Sequence, residues 1–391
     1  MLGTKFSPWP SYSEEEISAV TDIMRSGRVN YWTGKEGREF EKDFAAWVDV
    51  PHAVALANGT LALDLCWKVL GIGSGDEVIC TPRTFLASAS SIINAGAVPV
   101  FADVDPDSQN ITPQSATSHI SPRTKAILCV HLAGWPCNME GFRELANLHN
   151  LFLVEDCAQA HGATINGQSV GGLSDIAAWS FCQDKIMTTG GEGGMITTHN
   201  KDLWSKAWSF KDHGKSWEAV YERQHPPGFR WLHESIGTNW RMMEFQATIG
   251  RIQLRKMSDW KRQRRSNAHH ILAAAKELPT LRVPAVPNQV EHAYYKAYAF
   301  VRPETLKSDW SRDRIIDEIH ARGVPCYQGS CSEVYLEKAF DSAPGRPAQR
   351  LAVAKKLGET SIMFLVHPTL TPNNIDQTVD VLKQVMKQAQ K

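Results

Sequence analysis

LFLVEDCAQAHGA, residues 151–163, sets a run of apolar residues against a polar cluster of Glu155, Asp156, Gln159 and His161. The apolar part reads as a buried strand and the polar part as its carboxyl end, where open α/β sheets bind ligands. Similar runs recur on either side between residues 53 and 198: AVALAN, VICTP, VPVFADV, KAILCVHLAG, IAAWSF and GMITT. Segments such as TLALDLCWKVLGI and SASSIINAG lie between the earlier runs and are long enough for helices. Near-continuous apolar strands alternating with helices predict an α/β fold with a largely parallel sheet covered on both faces. The link from IAAWSF to GMITT is short, rich in Gly and Thr, and lacks a helical period. A parallel crossover needs more chain than that, so the last pairing is expected to be antiparallel or between non-neighbouring strands.

Ahead of this region, Ser13 and the acidic residues after it read as a helix start. Ile17, Val20 and Ile23 continue at helical spacing, and Phe40, Phe44 and Trp47 mark a second helix. Residues 199–235, polar and aromatic with Pro-Pro-Gly at 226–228, read as a long functional loop. Helical pattern resumes near Met242. The basic run RKMSDWKRQRR (255–265) reads as a solvated helix face joining two domains. From about residue 290, KAYAFVR and DRIIDEIHARG suggest a smaller α+β unit. The expected division is a large cofactor-binding domain over 1–250, with the N-terminal helices, then a linker helix and smaller C-terminal domain over 251–391.

Composition narrows the function. The 391 residues hold 42 Lys+Arg and 42 Asp+Glu, so no charge excess points to nucleic acid or a membrane surface. No apolar stretch reaches the ~18 residues of a membrane span, and the first residues hold no signal-like apolar run. Eight scattered Cys without a C-x-x-C pair predict reduced thiols, no disulfide frame, no metal site and a cytoplasmic setting. Asp103, Asp105 and Asp107 open like a calcium loop but lack its later Gly and Glu, so a turn after a strand is expected.

Three pieces carry chemistry together. NGT at 58–60 follows a strand and opens a helix, so Gly59, Thr60 and free N–H groups could hold a phosphate; an ordinary turn with a Thr cap is the plainer alternative. Asp156, Gln159 and His161 sit at a strand end, where a capping cluster is the plainer alternative. Lys185 follows another apolar strand ahead of a glycine cluster; a solvated charge is the plainer alternative, and a Schiff-base nucleophile the sharper one. A lysine, a carboxylate and an anion site are the three requirements of pyridoxal phosphate.

NGTLAL, PRTFLAS, VPVFADVD, VEDCAQAHGA, SFCQDK, TTGGEGGMITT and GTNWRMMEFQATIGRIQL together resemble the DegT/DnrJ/EryC1/StrS family of pyridoxal-phosphate sugar aminotransferases, in the family's order and from about residue 8 to 370. The resemblance implies the type I, aspartate aminotransferase-like fold: a mixed, mostly parallel seven-stranded sheet, a smaller C-terminal domain, and a homodimer with shared sites. It implies that Lys185 carries the cofactor as an aldimine, Asp156 partners the ring nitrogen, Gln159 donates to the phenolic oxygen and Phe85 stacks on the ring. Gly59, Thr60 and Ser180 match phosphate ligands, and Asn239 matches the Asn that reaches the neighbouring subunit's phosphate. Substrate contacts are expected from His161, Lys215, Arg230, His233 and Tyr327. The loop 213–236, with Arg223, Trp217 and Trp231 as well, is expected to order over the nucleotide sugar. Several members have His-Leu-Tyr where this chain has Lys296-Ala297-Tyr298. The implied reaction moves an amino group from glutamate to C3 or C4 of a nucleotide-linked keto sugar, for O-antigen, another surface glycan or a related glycoside. A sugar dehydratase of the same fold, in which His replaces the lysine, and a non-catalytic regulatory relative are the alternatives; Lys185 and Asp156 count against both.

Overall fold

Six of the seven apolar runs align as parallel strands and the seventh runs against them. The computed structural model describes residues 6–391; Met1–Lys5, part of the opening stretch without an apolar run, lie outside the described residues. The strands are β1 (His52–Leu56), β2 (Glu77–Cys80), β3 (Val98–Phe101), β4 (Thr124–Val130) and β5 (Phe152–Asp156). The short β6 (Thr164–Ile165) and β7 (Gln168–Ser169) form a separate hairpin before β8 (Ile176–Ser180) and β9 (Gly194–Thr198). The large sheet has the order β1-β9-β8-β5-β4-β2-β3. β9 is antiparallel to both β8 and β1, as the short Gly/Thr-rich link requires.

The helices follow from capping and amphipathic spacing. In α1 (Glu14–Ser26) the Glu16 carboxylate accepts from the Ser13 N–H and hydroxyl, each at 2.7 Å. After α2 (Glu36–Val48), the apolar α3 (Gly59–Leu70) packs Leu63 and Trp67 on the sheet face that carries Ile196. α4 (Leu86–Asn94), α5 (Pro113–Thr117), α6 (Met139–His149), α7 (Lys201–Lys211) and α8 (Trp217–Tyr221) follow. On the opposite face, α2 places Phe40 and Phe44 against Trp179 and Phe181. Several tryptophans are core residues with satisfied ring N–H groups: Trp67 donates to Ser91, Trp179 to Thr197 and Trp208 to Tyr31.

The 33-residue α9 (Glu244–Lys276) runs through the expected boundary at 250/251. Beyond it, β10 (Leu281–Arg282), β12 (Ala297–Val301), β13 (Cys326–Tyr327) and β14 (Ser361–Phe364) form an antiparallel sheet of order β10-β12-β14-β13, while β11 (Val290–Glu291) pairs with β6. Ile271 of α9, Ile315 and Ile319 of α10 (Arg312–Ala321), and Leu382 and Val385 of α12 (Pro372–Ala389) fill the core of this second unit. α11 (Ala352–Thr360) is capped from the large sheet, where Asp103 accepts from the N–H groups of Val353 and Ala354 at 2.9 Å each.

Three sequence expectations need correction. Residues 199–235 are not one loop: Asn200 caps α7, accepting from Asp202 and Leu203, and α8 follows. The late helix begins at Glu244, two residues past the expected Met242, and Asn239 ahead of it pairs with Asp212 in an isolated bridge. The basic run is a solvated face only in part: Arg255 and Arg262 are exposed, but the other cations turn to partners or inward. Lys256 pairs with Glu16, Lys261 and Arg265 with Glu291, and Arg264 is buried. Burial acts to raise the Glu291 pKa, but hydrogen bonds from those two cations overcome it and hold the carboxyl at about 2. Asp105 does close a turn, accepting from the Asp107 and Ser108 N–H groups.

Gly250 lets α9 seat on α2, since a Cβ there would lie 2.5 Å from Cζ of the buried Phe40. Helix propensity alone favours Gly250→Ala by roughly 0.5–1 kcal/mol. Overpacking a filled core costs about 1–3 kcal/mol, so the substitution should lower the thermal midpoint. A raised midpoint would contradict this packing.

Candidate active site

The carboxyl ends of β1, β5 and β8 share one edge of the large sheet and, with the start of β9, build a cavity of about 510 Å³. The chain leaves β1 through Asn58, whose side chain caps α3 by accepting from the Leu61 N–H at 2.9 Å. The cap is Asn58, not Thr60 as the plainer reading had it. The N–H groups of Gly59 and Thr60, in the first turn, have no intrahelical acceptor and favour an anion. Two glycines let this turn close on the sheet. A Cβ at Gly59 would sit 2.5 Å from Cβ of Ser180, and one at Gly194 would sit 2.2 Å from the Asn58 carbonyl oxygen. The Ser180 hydroxyl, at the end of β8, lines the same corner.

Asp156 ends β5 and faces this cavity, while Glu155, one residue earlier, points to the other side. There Glu155 accepts from the N–H groups of Gly171 and Leu173 and pairs with His131 at 3.3 Å. Asp156 accepts from the Ser88 hydroxyl at 2.8 Å and from the Ala158 N–H at 3.1 Å, and Ser88 lies 2.8 Å from the Thr84 hydroxyl. Burial is the largest influence on the Asp156 carboxyl and raises its pKa; those hydrogen bonds, then the Lys185 and His131 charges, act against it. The Gln159 carbonyl oxygen accepts from the Ala133 N–H at 2.7 Å, which turns its amide into a donor at the cavity wall. Phe85 stands at the rim with 69% of its surface exposed.

Lys185 lies in the turn after β8. Its N–H donates to Cys182, and its carbonyl accepts from the Trp9 ring N–H at 2.8 Å. Its Nζ sits 3.5 Å from Asp184 and 5.2 Å from the centre of the Tyr295 ring. Lys185, Asp184, Gln159, Thr84 and Phe85 also wall a second compartment, of about 450 Å³, closed by Tyr295, Lys296, Tyr298, Tyr327 and Met363 from the C-terminal unit.

The structure thus brings Gly59, Thr60, Phe85, Asp156, Gln159, Ser180 and Lys185 around one cavity and places Tyr327 in the adjoining one. Other expected residues lie elsewhere. His161 lines neither space; it is wholly buried between the Trp179 and Phe181 rings. Burial, then the Lys185 and Arg264 charges, depress its pKa to about 3, so it is neutral. Lys215 is buried too, donating to Asp212 at 3.0 Å with its Nζ 4.0 Å from the Trp32 ring centre. Trp217 packs on Trp208, and Arg223 pairs with Glu218 and Glu234. Arg230, His233 and Asn239 are exposed and away from both spaces of their own chain. Sequence reasoning missed Ser88 and Tyr295, and it marked Lys296 only as a departure from the family pattern without placing it at the site. Of the two missed, only Ser88 left a signal, lying one helical turn beyond Phe85 in PRTFLAS.

A strand-end carboxylate, a lysine in the turn after the neighbouring strand and a helix start at the strand edge define a pyridoxal-phosphate enzyme of the aspartate aminotransferase-like fold. The chain belongs to the DegT/DnrJ/EryC1/StrS aminotransferase family, matched over residues 10–383. It is 36% identical over 363 residues to a GDP-perosamine synthase of Caulobacter vibrioides, covering 91% of this chain and 92% of that protein. It is 32% identical over 375 residues to the dTDP-3-amino-3,4,6-trideoxy-alpha-D-glucose transaminase of Streptomyces venezuelae, covering 95% and 93%. Its fold matches the X-ray structure of an aminotransferase from Psychrobacter cryohalolentis with a TM-score of 0.96 at 58% identity, over 98% and 99% of the two chains. The chain is accordingly a sugar aminotransferase dependent on pyridoxal phosphate. Its site fits that cofactor, with helix-start N–H groups for a phosphate, a buried carboxylate for a ring nitrogen, an exposed aromatic for a ring face and an amine.

Burial raises the Asp156 pKa above its unfolded value, so ionising this carboxyl costs the apoprotein stability as pH rises through the raised pKa. The Asp156→Asn apoprotein, whose amide can donate to Ser88 while its oxygen accepts from Ala158, should therefore melt higher than the parent near neutral pH. That advantage should shrink as pH falls toward the ordinary Asp range. A lower midpoint at neutral pH, measured by differential scanning fluorimetry on cofactor-free protein, would contradict the burial argument.

Proposed function

We propose that the chain transfers the amino group of L-glutamate to C3 or C4 of a nucleotide-linked keto deoxyhexose, as a homodimer with shared sites, in the making of amino sugars for O-antigen, another surface glycan or a related glycoside. The observation that carries this is the pairing of Lys185 with Asp156 across one cavity that opens into a second compartment beside the same lysine. The 1–250 part supplies the cofactor cavity and the 251–391 part closes the compartment toward substrate.

Bound pyridoxal phosphate supplies an electron sink for the carbanion formed when the donor's Cα–H breaks. Lys185 would hold the cofactor covalently at rest and, once released, would take the proton from the donor's Cα as general base and deliver it to C4′ as general acid. The Asp156 carboxylate would keep a proton on the ring nitrogen, and Ser88 holds that carboxylate in place. Gln159 would donate to the phenolic oxygen, Phe85 would cover the ring, and the Gly59–Thr60 turn with Ser180 would hold the phosphate. Lysine at position 185, in place of the dehydratase histidine, favours transamination.

The second copy is supported by the surface around Asn239. Phe229, Trp231, Ile236 and Met243, within fifteen residues of the chain, are 60%, 85%, 92% and 53% exposed, apolar side chains of a kind that protein partners cover. Asn239 would then reach the other copy's phosphate corner, with Arg230 and His233 carried alongside.

Lys185→Ala should abolish turnover and the absorbance of the lysine-linked cofactor while the fold melts as a unit; an active Lys185→Ala enzyme would end this reading. Asn239→Ala should weaken cofactor retention, and mixing it with Lys185→Ala subunits should restore activity, since one site in each mixed dimer holds both intact residues. Mixed dimers that form but remain dead would refute site sharing. The acceptor is found by offering keto sugars made in situ from UDP-, dTDP- and GDP-hexoses with glutamate. Amination of none of them would contradict the nucleotide-sugar assignment.

A further inference from the structure

Lys296 stands just before β12, and it lines the second compartment. Its Nζ lies 4.7 Å from the centre of the Tyr295 ring, and the Lys185 Nζ lies 5.2 Å from that same centre. The two amines thus gather round one aromatic ring. Asp184 is the carboxylate that walls this compartment, and it is engaged by Lys185 and by the Tyr295 hydroxyl. Among the described residues Lys296 has no ion-pair partner.

The surrounding charge is one-sided. Arg264 is fully buried, its Nε and Nη2 lack hydrogen-bond partners, and its Nη1 donates to the Tyr295 carbonyl at 3.4 Å. His367 is held neutral, its pKa depressed to about 3 by burial and then by Arg264 and Lys296. Burial, then Arg264, lowers the Lys296 pKa to about 8, with Asp184 opposing and Lys185 adding to the fall. Covalent attachment of a cofactor would take Lys185 out of this balance. Lys296 and Arg264 would then face Asp184 alone. The cofactor's phosphate does not compensate them, since the N–H groups suited to it open α3 in the other compartment. An ammonium so placed is a point charge for an anionic group.

We propose that Lys296 receives a carboxylate of the amino-acid donor and so sets the donor's nitrogen against the Lys185 site. This rests on the reading of glutamate as donor. Both carboxyl groups of a glutamate donor are joined to the reacting nitrogen by a short carbon chain, which suits an ammonium beside Lys185. The diphosphate of a nucleotide sugar is held away from C3 or C4 by the sugar ring, so it is the poorer match. The role is one of binding and specificity; proton transfer stays with Lys185.

The test uses cofactor-loaded enzyme and two probes. Glutarate carries both carboxylates without the amine, and a nucleoside diphosphate stands for the sugar substrate. Lys296→Met should weaken glutarate binding by roughly tenfold or more, the scale of a lost charge-assisted hydrogen bond. It should raise the half-saturating glutamate concentration in the glutamate half-reaction by a like factor, while nucleoside diphosphate affinity stays unchanged. Lys296→Arg, which keeps the charge, should recover most of the glutarate affinity; that comparison still decides the question should Lys296→Met misfold. Unchanged glutarate affinity in the Met and Arg variants, or a loss confined to the nucleoside diphosphate, overturns the assignment. The half-reaction runs without sugar, so a wrong acceptor does not affect the result. Glutarate binding is read without turnover, so a wild-type enzyme inert to glutamate would sink the donor reading by a separate observation.

Discussion

The closure of the first turn of α3 onto the ends of β8 and β9 is the contact on which the site depends. It exists because Gly59 and Gly194 have no Cβ: side chains there would meet Ser180 and the Asn58 carbonyl. Once the turn is closed, its free N–H groups, the Ser180 hydroxyl, Asp156 and Lys185 share one cavity. The antiparallel β9 makes this possible, because its first residue lies at the edge where its two neighbours, β1 and β8, end. A parallel strand in that slot would bring its last residue there and send the glycine-rich link elsewhere.

Charge is distributed unevenly around that cavity. On the cofactor side, Asp156 is held by Ser88 and by a backbone N–H, so the acid has partners but also the burial that raises its pKa. On the other side, Lys296 lines the second compartment with the committed Asp184, and the buried Arg264 adds its charge close to Lys296. An acid that suits a protonated ring nitrogen and a cationic wall that suits an anionic substrate therefore stand on either side of Lys185. The basic run 255–265 belongs to this pattern only through Arg264; its other cations are spent on Glu15, Glu16, Asp259 and Glu291.

Asp156, Gln159, Lys185 and the NGT turn were legible in the sequence because each sits at a strand end, and apolar runs mark strand ends. Residues supplied by distant packing were not. Tyr295 and Lys296 reach Lys185 only because the C-terminal unit folds back over the sheet edge. His161 shares the polar cluster after β5, but the chain turns there and buries it between two aromatic rings. Lys215 looked like a free cation, yet Asp212, three residues earlier, and the Trp32 ring hold it inside. α7 was hidden by its aromatic composition, although Asn200 and the Leu203–Ala207 spacing mark a capped amphipathic helix.

The central claim is that this cavity holds pyridoxal phosphate on Lys185. Reducing the purified holoenzyme with borohydride, then digesting it and mapping the modified peptide by mass spectrometry, tests it directly. The account predicts a single phosphopyridoxyl group on the peptide that contains Lys185. A label on Lys296 or another lysine, or no label in protein that carries the cofactor's absorbance, would contradict it.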